Sequence, residues 1–219
     1  MHFRHNTLMT LSSLSTVSLE EVAAAAPSGL RWFQLYVYKD RKVTLDLVRR
    51  AERAGYRALA VTVDTPILGR READIRNKFA LPAHLNMGNF AAVGGKHASG
   101  TKTAGSAGSG LGSYFTELID QTLNWQDVMW LRTVTKLKIV VKGIITAEDA
   151  VDAVRNGVDA IWVSNHGARQ LDTTAATIEM LPEIVAATLG SGVEIYLDGG
   201  IMRGTDVFKV HITVVFCCL

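Results

Sequence analysis

Apolar residues along the chain fall into two alternating kinds of run. Short, nearly continuous apolar stretches occur at Arg31 to Tyr38 (RWFQLYVY), Ala58 to Asp64 (ALAVTVD), Lys138 to Gly143 (KIVVKG), Ala160 to Asn165 (AIWVSN) and Val193 to Gly199 (VEIYLDG). Each predicts a strand buried on both faces. Thr10 to Ser13 reads as the end of one more strand. Between these runs the apolar positions recur at helical spacing. Val43, Leu47, Val48 and Ala51 fall on one face of a helix over Val43 to Ala54, and Gly55 follows as its stop. Ser18 and Glu21 make a capping box ahead of Val22 to Ala26. Thr146 is a candidate cap for Ala147 to Arg155, which Gly157 closes. Asn124 is a candidate cap for Trp125 to Thr133, and Thr177 to Ala187 completes the set.

Strands of this kind alternating with helices predict a parallel sheet covered by helices. The polar residues collect at the C-terminal ends of the strands: Gln34 and Tyr36, Thr62 and Asp64, Lys142, Ser164 and His166, and Asp198. A (β/α)8 TIM barrel builds its site at that face. An open doubly wound sheet also binds at strand ends, but from one or two strands rather than five or six. The barrel is therefore the expected fold, as a single α/β domain over residues 1–219. From Gly94 to Gly112 the chain is almost entirely Gly, Ser, Ala, Thr and Lys, with no apolar period. It reads as a solvated insertion or as a lid over the functional face.

Bulk properties exclude several classes. The net charge is +2 with 48% hydrophobic and 20% charged residues, an ordinary globular balance that argues against nucleic acid as a partner. No apolar stretch is long enough to predict a membrane span. Cys217 and Cys218 are adjacent and offer no disulfide framework, which favours a reducing compartment. The N-terminus makes a poor secretory signal, and the last residues match no targeting address. His2, His5, His84, His97 and His211 show no ligand spacing, so no metal site is expected.

The stretch VSNHGARQLD, Val163 to Asp172, carries the most chemistry. His166 can exchange a proton near neutral pH. Arg169 offers a planar fork that suits a carboxylate. A base beside a carboxylate clamp at a strand end points to chemistry at a carbon next to a carboxylate.

These residues, with WFQLYVYKDR, VTVDTPILGRR, DIRNKF, IVVKGI and YLDGGIMRGTDVFK, resemble the FMN-dependent 2-hydroxy-acid oxidases, the group of glycolate oxidase. The resemblance runs from about Thr10 to Lys209. It implies a TIM barrel holding FMN, oxidation of a small 2-hydroxy acid to the 2-oxo acid, and O2 reduced to hydrogen peroxide. It implies that Ser12, Gln34, Thr62, Lys142 and Ser164 contact the flavin ring and ribityl chain. Asp198, Gly199, Gly200 and Arg203 match the ribityl and phosphate stretch. His166 matches the catalytic base, Asp64 the carboxylate that orients it, Arg169 the substrate clamp, Tyr36 the phenol beside the substrate hydroxyl, and Arg71 a second arginine. Homo-oligomers and a peroxisomal location are family implications too, with a cytoplasmic location otherwise.

Against the family pattern, the chain is expected to start at the second barrel strand. Met202 stands where the family has arginine, and residues 210–219 form an aberrant tail in place of a Gly-Arg pair that grips the phosphate. The expectation is a chain truncated at both ends, whose makeshift last strand lies within Ile212 to Cys218. Two other readings stay open: an inactive isoform that at most partners full-length subunits, and a related FMN dehydrogenase with another electron acceptor.

Overall fold

The computed structural model describes residues 7–82, 84–90, 118–211 and 217–218. In chain order its elements are β1 (Met9–Ser12), α1 (Leu19–Ala25), β2 (Arg31–Leu35), α2 (Arg41–Arg53), β3 (Ala58–Thr62) and α3 (Glu72–Arg76). There follow α4 (Trp125–Val134), β4 (Lys138–Ile144), α5 (Ala147–Arg155), β5 (Ala160–Val163), α6 (Thr177–Thr188), β6 (Glu194–Leu197), α7 (Gly204–His211) and β7 (Cys217–Cys218).

The seven strands form one sheet in the order β1-β2-β3-β4-β5-β6-β7, and every pair is parallel. This order decides between the two expected architectures. A doubly wound sheet reverses direction at a switch point. Strands that follow one another without reversal wind one way only, which curls the sheet as in a (β/α)8 barrel. The fold is thus an incomplete TIM barrel. Cys217 and Cys218 pair with Tyr196 and Leu197, so a short last strand does form within the expected stretch.

Side-chain alternation separates the two faces of the sheet. Phe33, Leu35, Leu59, Val61, Ile139, Val141, Ile161 and Val163 face the helices and pack on Leu47, Val48, Ala51, Ala150, Ala153, Leu181 and Ile184. Trp32, Ala58, Ala60, Val140, Ala160 and Trp162 occupy the concave face with Tyr196. Small alanines there leave room for the indoles. Trp32 meets Tyr196 edge-on at 4.8 Å between centroids and Trp162 at 6.4 Å.

The helix caps follow the sequence. Ser18 and Glu21 cap α1 reciprocally, Asn124 and Asp127 cap α4, and the Thr146 hydroxyl accepts from Asp149 N on α5. Each such cap contributes about 1 kcal/mol. Helix α2 starts two residues before the expected Val43, because the Asp40 carboxylate accepts from Lys42 N.

One expectation needs correction. The strand expected over Arg31 to Tyr38 ends at Leu35. Beyond it the backbone leaves the parallel ladder, and Tyr38 bridges Ile119 in antiparallel sense. Arg41 locks that crossing: its guanidinium donates to Asp120 and to Asp127, both at 2.6 Å. The turn around Asp120 and this arginine hold the Asp120 carboxyl down at about 2. Glu20, in the first turn of α1, joins two helices. Its two carboxylate oxygens take Arg50 Nε at 2.7 Å and Nη2 at 2.9 Å, fastening α1 to α2. The expected lid at Gly94–Gly112 lies outside the described residues.

Candidate active site

The concave face continues past the indole layer into polar residues. Two positions beyond Trp32, Ala60, Val140, Trp162 and Tyr196 stand Gln34, Thr62, Lys142, Ser164 and Asp198. Period-two alternation puts a hydrophobic layer at the barrel centre and a polar layer above it. A cavity of about 460 Å³ opens there, lined by Thr10, Ser12, Gln34, Tyr36, Thr62, Lys142, Trp162, His166, Gly167, Arg169, Asp198 and Gly199.

One side of the cavity is a fixed amide. Gln34 Nε2 donates to Thr62 Oγ1 at 2.9 Å. Its Oε1 accepts from Ser12 Oγ at 3.3 Å and from Ser13 N at 3.2 Å. The amide can hold only one orientation with those partners. Ser164 organises the opposite wall. Its hydroxyl accepts from Lys142 Nζ at 3.0 Å and from His166 N at 3.1 Å, and donates to Asp198 Oδ2 at 2.9 Å. One donor and two acceptors are all that a serine hydroxyl has. Ser164→Ala is therefore expected to cost about 1–3 kcal/mol, because it strands three polar groups at once; urea unfolding of the two proteins measures it.

Lys142 also lies 3.9 Å from Asp198 and 5.5 Å from the Trp162 ring centre. Burial pushes the Asp198 carboxyl up, and Lys142, Ser164 and Trp162 only partly offset that.

The third wall holds a His–Asp pair. His166 Nδ1 lies 2.8 Å from Asp64 Oδ1, and both side chains are 13% exposed. Thr65 Oγ1 donates to the same Asp64 oxygen at 2.9 Å. Burial alone would raise the Asp64 carboxyl; the His166 bond and charge, with Lys142 and Thr65, outweigh burial and hold it below its ordinary value. The pairing through Nδ1 leaves Nε2 of His166 as the nitrogen for chemistry.

The backbone under the histidine is unusual. His166, Gly167 and Ala168 all have positive φ, 59°, 64° and 57°. Left-handed non-glycine residues cost of order 1 kcal/mol each and persist where surrounding bonds hold them. Here Ser164 Oγ holds His166 N, and the Asn165 side chain accepts from Ala168 N. The glycine in NHGAR hints at a turn, but the left-handed histidine is not legible in the sequence.

Tyr36 and two arginines complete the site. Burial and the Asp64 charge raise the Tyr36 hydroxyl, against the opposing pull of Thr65, Arg71 and Arg169. Burial and the Arg169 charge lower Arg71, more than Asp74 and Tyr36 raise it. Arg71 Nε is buried without a hydrogen-bond partner. Two cations that repel each other beside a phenol form a place for an anion.

Most of the expected site residues come together. Ser12, Gln34, Tyr36, Thr62, Lys142, His166, Arg169, Asp198 and Gly199 line the cavity. Asp64 and Ser164 bond residues that line it, and Arg71 lies within electrostatic reach of Tyr36 and Arg169. Gly200 and Arg203 do not line it. Arg203 is exposed, and its backbone N, like that of Met202, donates to the Asp206 carboxylate. That carboxylate occupies the start of α7. Sequence reasoning missed Trp162, Thr65 and Gln170; the partners of Gln170 all lie more than 100 residues earlier.

The family model for FMN-dependent dehydrogenases matches residues 2–213. The chain belongs to that family. It is 58% identical to "Glycolate oxidase 1" of Zea mays over 203 residues, which is 93% of this chain and 53% of the relative. It is 54% identical to "2-Hydroxyacid oxidase 1" of Mus musculus, over 92% of this chain and 54% of the relative. The chain thus spans about half the length of these relatives. A mandelate oxidase crystallised with (S)-4-hydroxymandelic acid superposes with a TM-score of 0.85 at 42% identity, covering 97% of this chain and 57% of that one. A mandelate oxidase variant holding a C4a-OH-FMN adduct superposes with a TM-score of 0.79 at 42% identity, over 97% of this chain and 56% of that one.

The cofactor of the family is FMN, and the ring half of the cavity fits it. A locked amide, two hydroxyls and a half-buried ammonium supply the donors and acceptors that a planar heteroaromatic with an anionic edge requires. Gln34, Thr62, Ser12 and Lys142 would hold that half. Among the described residues no helix is long and apolar enough to cross a membrane.

Proposed function

We propose that this chain carries the site of an FMN-dependent oxidase that converts a small (S)-2-hydroxy acid, such as glycolate or lactate, to the 2-oxo acid and passes the electrons to O2 to give hydrogen peroxide. One observation supports this above the others: the Asp64–His166 pair opens onto the same cavity as Arg169 and Lys142. Arg169 would take the substrate carboxylate with two parallel bonds, backed by Arg71 and the Tyr36 hydroxyl. The substrate's second carbon then faces His166 Nε2, which takes a proton either from the hydroxyl or from that carbon. Asp64 fixes the ring orientation and stabilises the imidazolium that results. Bound FMN supplies the two-electron acceptor. Lys142 would help hold that group and would supply the positive charge that favours its reduction. Family implications complete the proposal: a homo-oligomer, in peroxisomes.

A second reading is that the chain holds flavin poorly and does not turn over. It is favoured by the entry to α7, where Asp206 takes the amides of Met202 and Arg203 and where Arg203 does not line the cavity. One titration separates the readings. The 219-residue chain is loaded with FMN, freed of excess, and given glycolate or L-lactate without oxygen. A bound-flavin spectrum that bleaches supports the oxidase. A colourless product after desalting supports the second reading.

A further inference from the structure

Asp64 and Arg71 ride on the loop after β3, whereas His166 and Arg169 ride on the loop after β5. Something must fix one loop against the other, since the Asp64–His166 bond crosses between them. Gln170 does so with its entire amide. Its Nε2 donates to the carbonyl of Asp64 at 3.0 Å and to that of Ile67 at 2.9 Å. Its Oε1 accepts from Gly69 N at 3.2 Å. Both donors and the acceptor are used on one six-residue span of backbone, so the loop is held at its start, middle and end.

The two backbones touch at the same place. A Cβ on Gly69 would stand 2.1 Å from the Arg169 carbonyl oxygen and 2.6 Å from Gln170 Cα. Only a residue without a side chain admits that approach. The contact ties the arginine that carries the clamp to the loop that carries the second arginine.

We propose that Gln170 is a positioning residue, which sets Asp64 against His166 and Arg71 against Arg169 by docking the β3 loop onto the β5 loop. It touches no reacting atom. The inference rests on the oxidase reading for its purpose, but its geometry can be tested without flavin. Three amide hydrogen bonds hold a loop that has no buried residue in α3, so their loss undocks the loop while the strands below stay intact.

The test compares the 219-residue chain with Gln170→Met, which keeps the volume and removes every hydrogen bond. Gln170→Glu keeps size and acceptor, but at neutral pH offers no donor. Hydrogen exchange is followed at residues 65–71 and at the strand amides of Val61 and Val141. The Asp64 carboxyl is titrated by its ¹³C resonance. Asp64 is faced by His166 and Lys142, with Tyr36 also near, and none of these changes in the variants. Both variants are expected to exchange roughly tenfold faster across the loop, with strand protection retained and the Asp64 titration moved upward as its bond to His166 loosens. Unchanged loop exchange and an unchanged Asp64 titration overturn the proposal. So does a uniform loss of protection in both variants, which marks Gln170 as structural only. Flavin-loaded turnover is read separately. A wild-type chain without turnover whose variants still undock counts against the oxidase reading alone. An active wild-type chain whose variants stay docked counts against the positioning role alone.

Discussion

Replacing His166 with alanine is expected to lower turnover of the flavin-loaded enzyme by roughly 10²–10⁴-fold, the usual contribution of a positioned general base. Flavin binding should survive, because the residues proposed to hold the flavin, Gln34, Thr62 and Lys142, keep their positions through other partners. The imidazole is held on one side by Asp64 Oδ1. Among the described side chains lining the cavity, that of His166 is the only imidazole. Its backbone N bonds Ser164 Oγ whatever the side chain, so the wall of the cavity persists. Alanine also has to take φ near 59° there. His166 already carries that strain, so a small loss of stability is expected instead from leaving the Asp64 carboxylate without its imidazole partner. Single-turnover bleaching of the flavin measures the rate, and denaturant unfolding measures the stability. A variant that bleaches at the wild-type rate removes His166 from the mechanism.

The largest loss of stability is expected for Gly143→Ala. Gly143 lies at the register shift in β4, where its φ is 113°. Its missing side chain is what makes room for Asp64: a Cβ there would stand 2.7 Å from Asp64 Cβ and 2.8 Å from its Cγ. Backbone strain alone is about 1–3 kcal/mol, and the collision adds to it because Asp64 is pinned by His166 and Thr65. A total of about 2 kcal/mol or more is expected, read from the midpoint of urea unfolding. The substitution also pushes Asp64 from its bond, so any folded fraction should lose turnover as His166→Ala does. A midpoint within experimental error of wild type would show that β4 relaxes freely at this bend.

How much of this was legible in the sequence depends on how local each cause is. The strands and helices were, because alternation and helical spacing are properties of neighbours. So were the caps at Ser18, Asn124 and Thr146, each read within three residues of its partner. The polar layer was legible as a row of residues at strand ends, and the resemblance gave roles to Gln34, Lys142, His166 and Arg169. The early end of β2 was not, because Tyr38 is turned aside by Ile119, far along the chain. Nor was Gln170, whose three partners all lie more than 100 residues earlier. The bidentate grip of Glu20 on Arg50 joins two helices whose own patterns are complete without it. The partner of the Arg203 amide was not legible either. The resemblance assigns a role to the Arg203 side chain, whereas its backbone N, with that of Met202, donates to Asp206 three residues on.

The strand order also bears on how the chain reaches this structure. Each strand pairs with the next in sequence, so most pairings close short loops and can form early and fast. The exception is β3 with β4, separated by everything from Val63 to Leu137. Closing that span costs about 1 kcal/mol more than closing the others, since loop entropy grows with the logarithm of length. The Arg41 clamp on Asp120 and Asp127 brings the far end of the span back to β2 first. Two folding units, β1 to β3 and β4 to β6, would then meet across a shortened gap. Arg41, distant from the chemistry, is the place where a substitution should slow refolding more than it speeds unfolding.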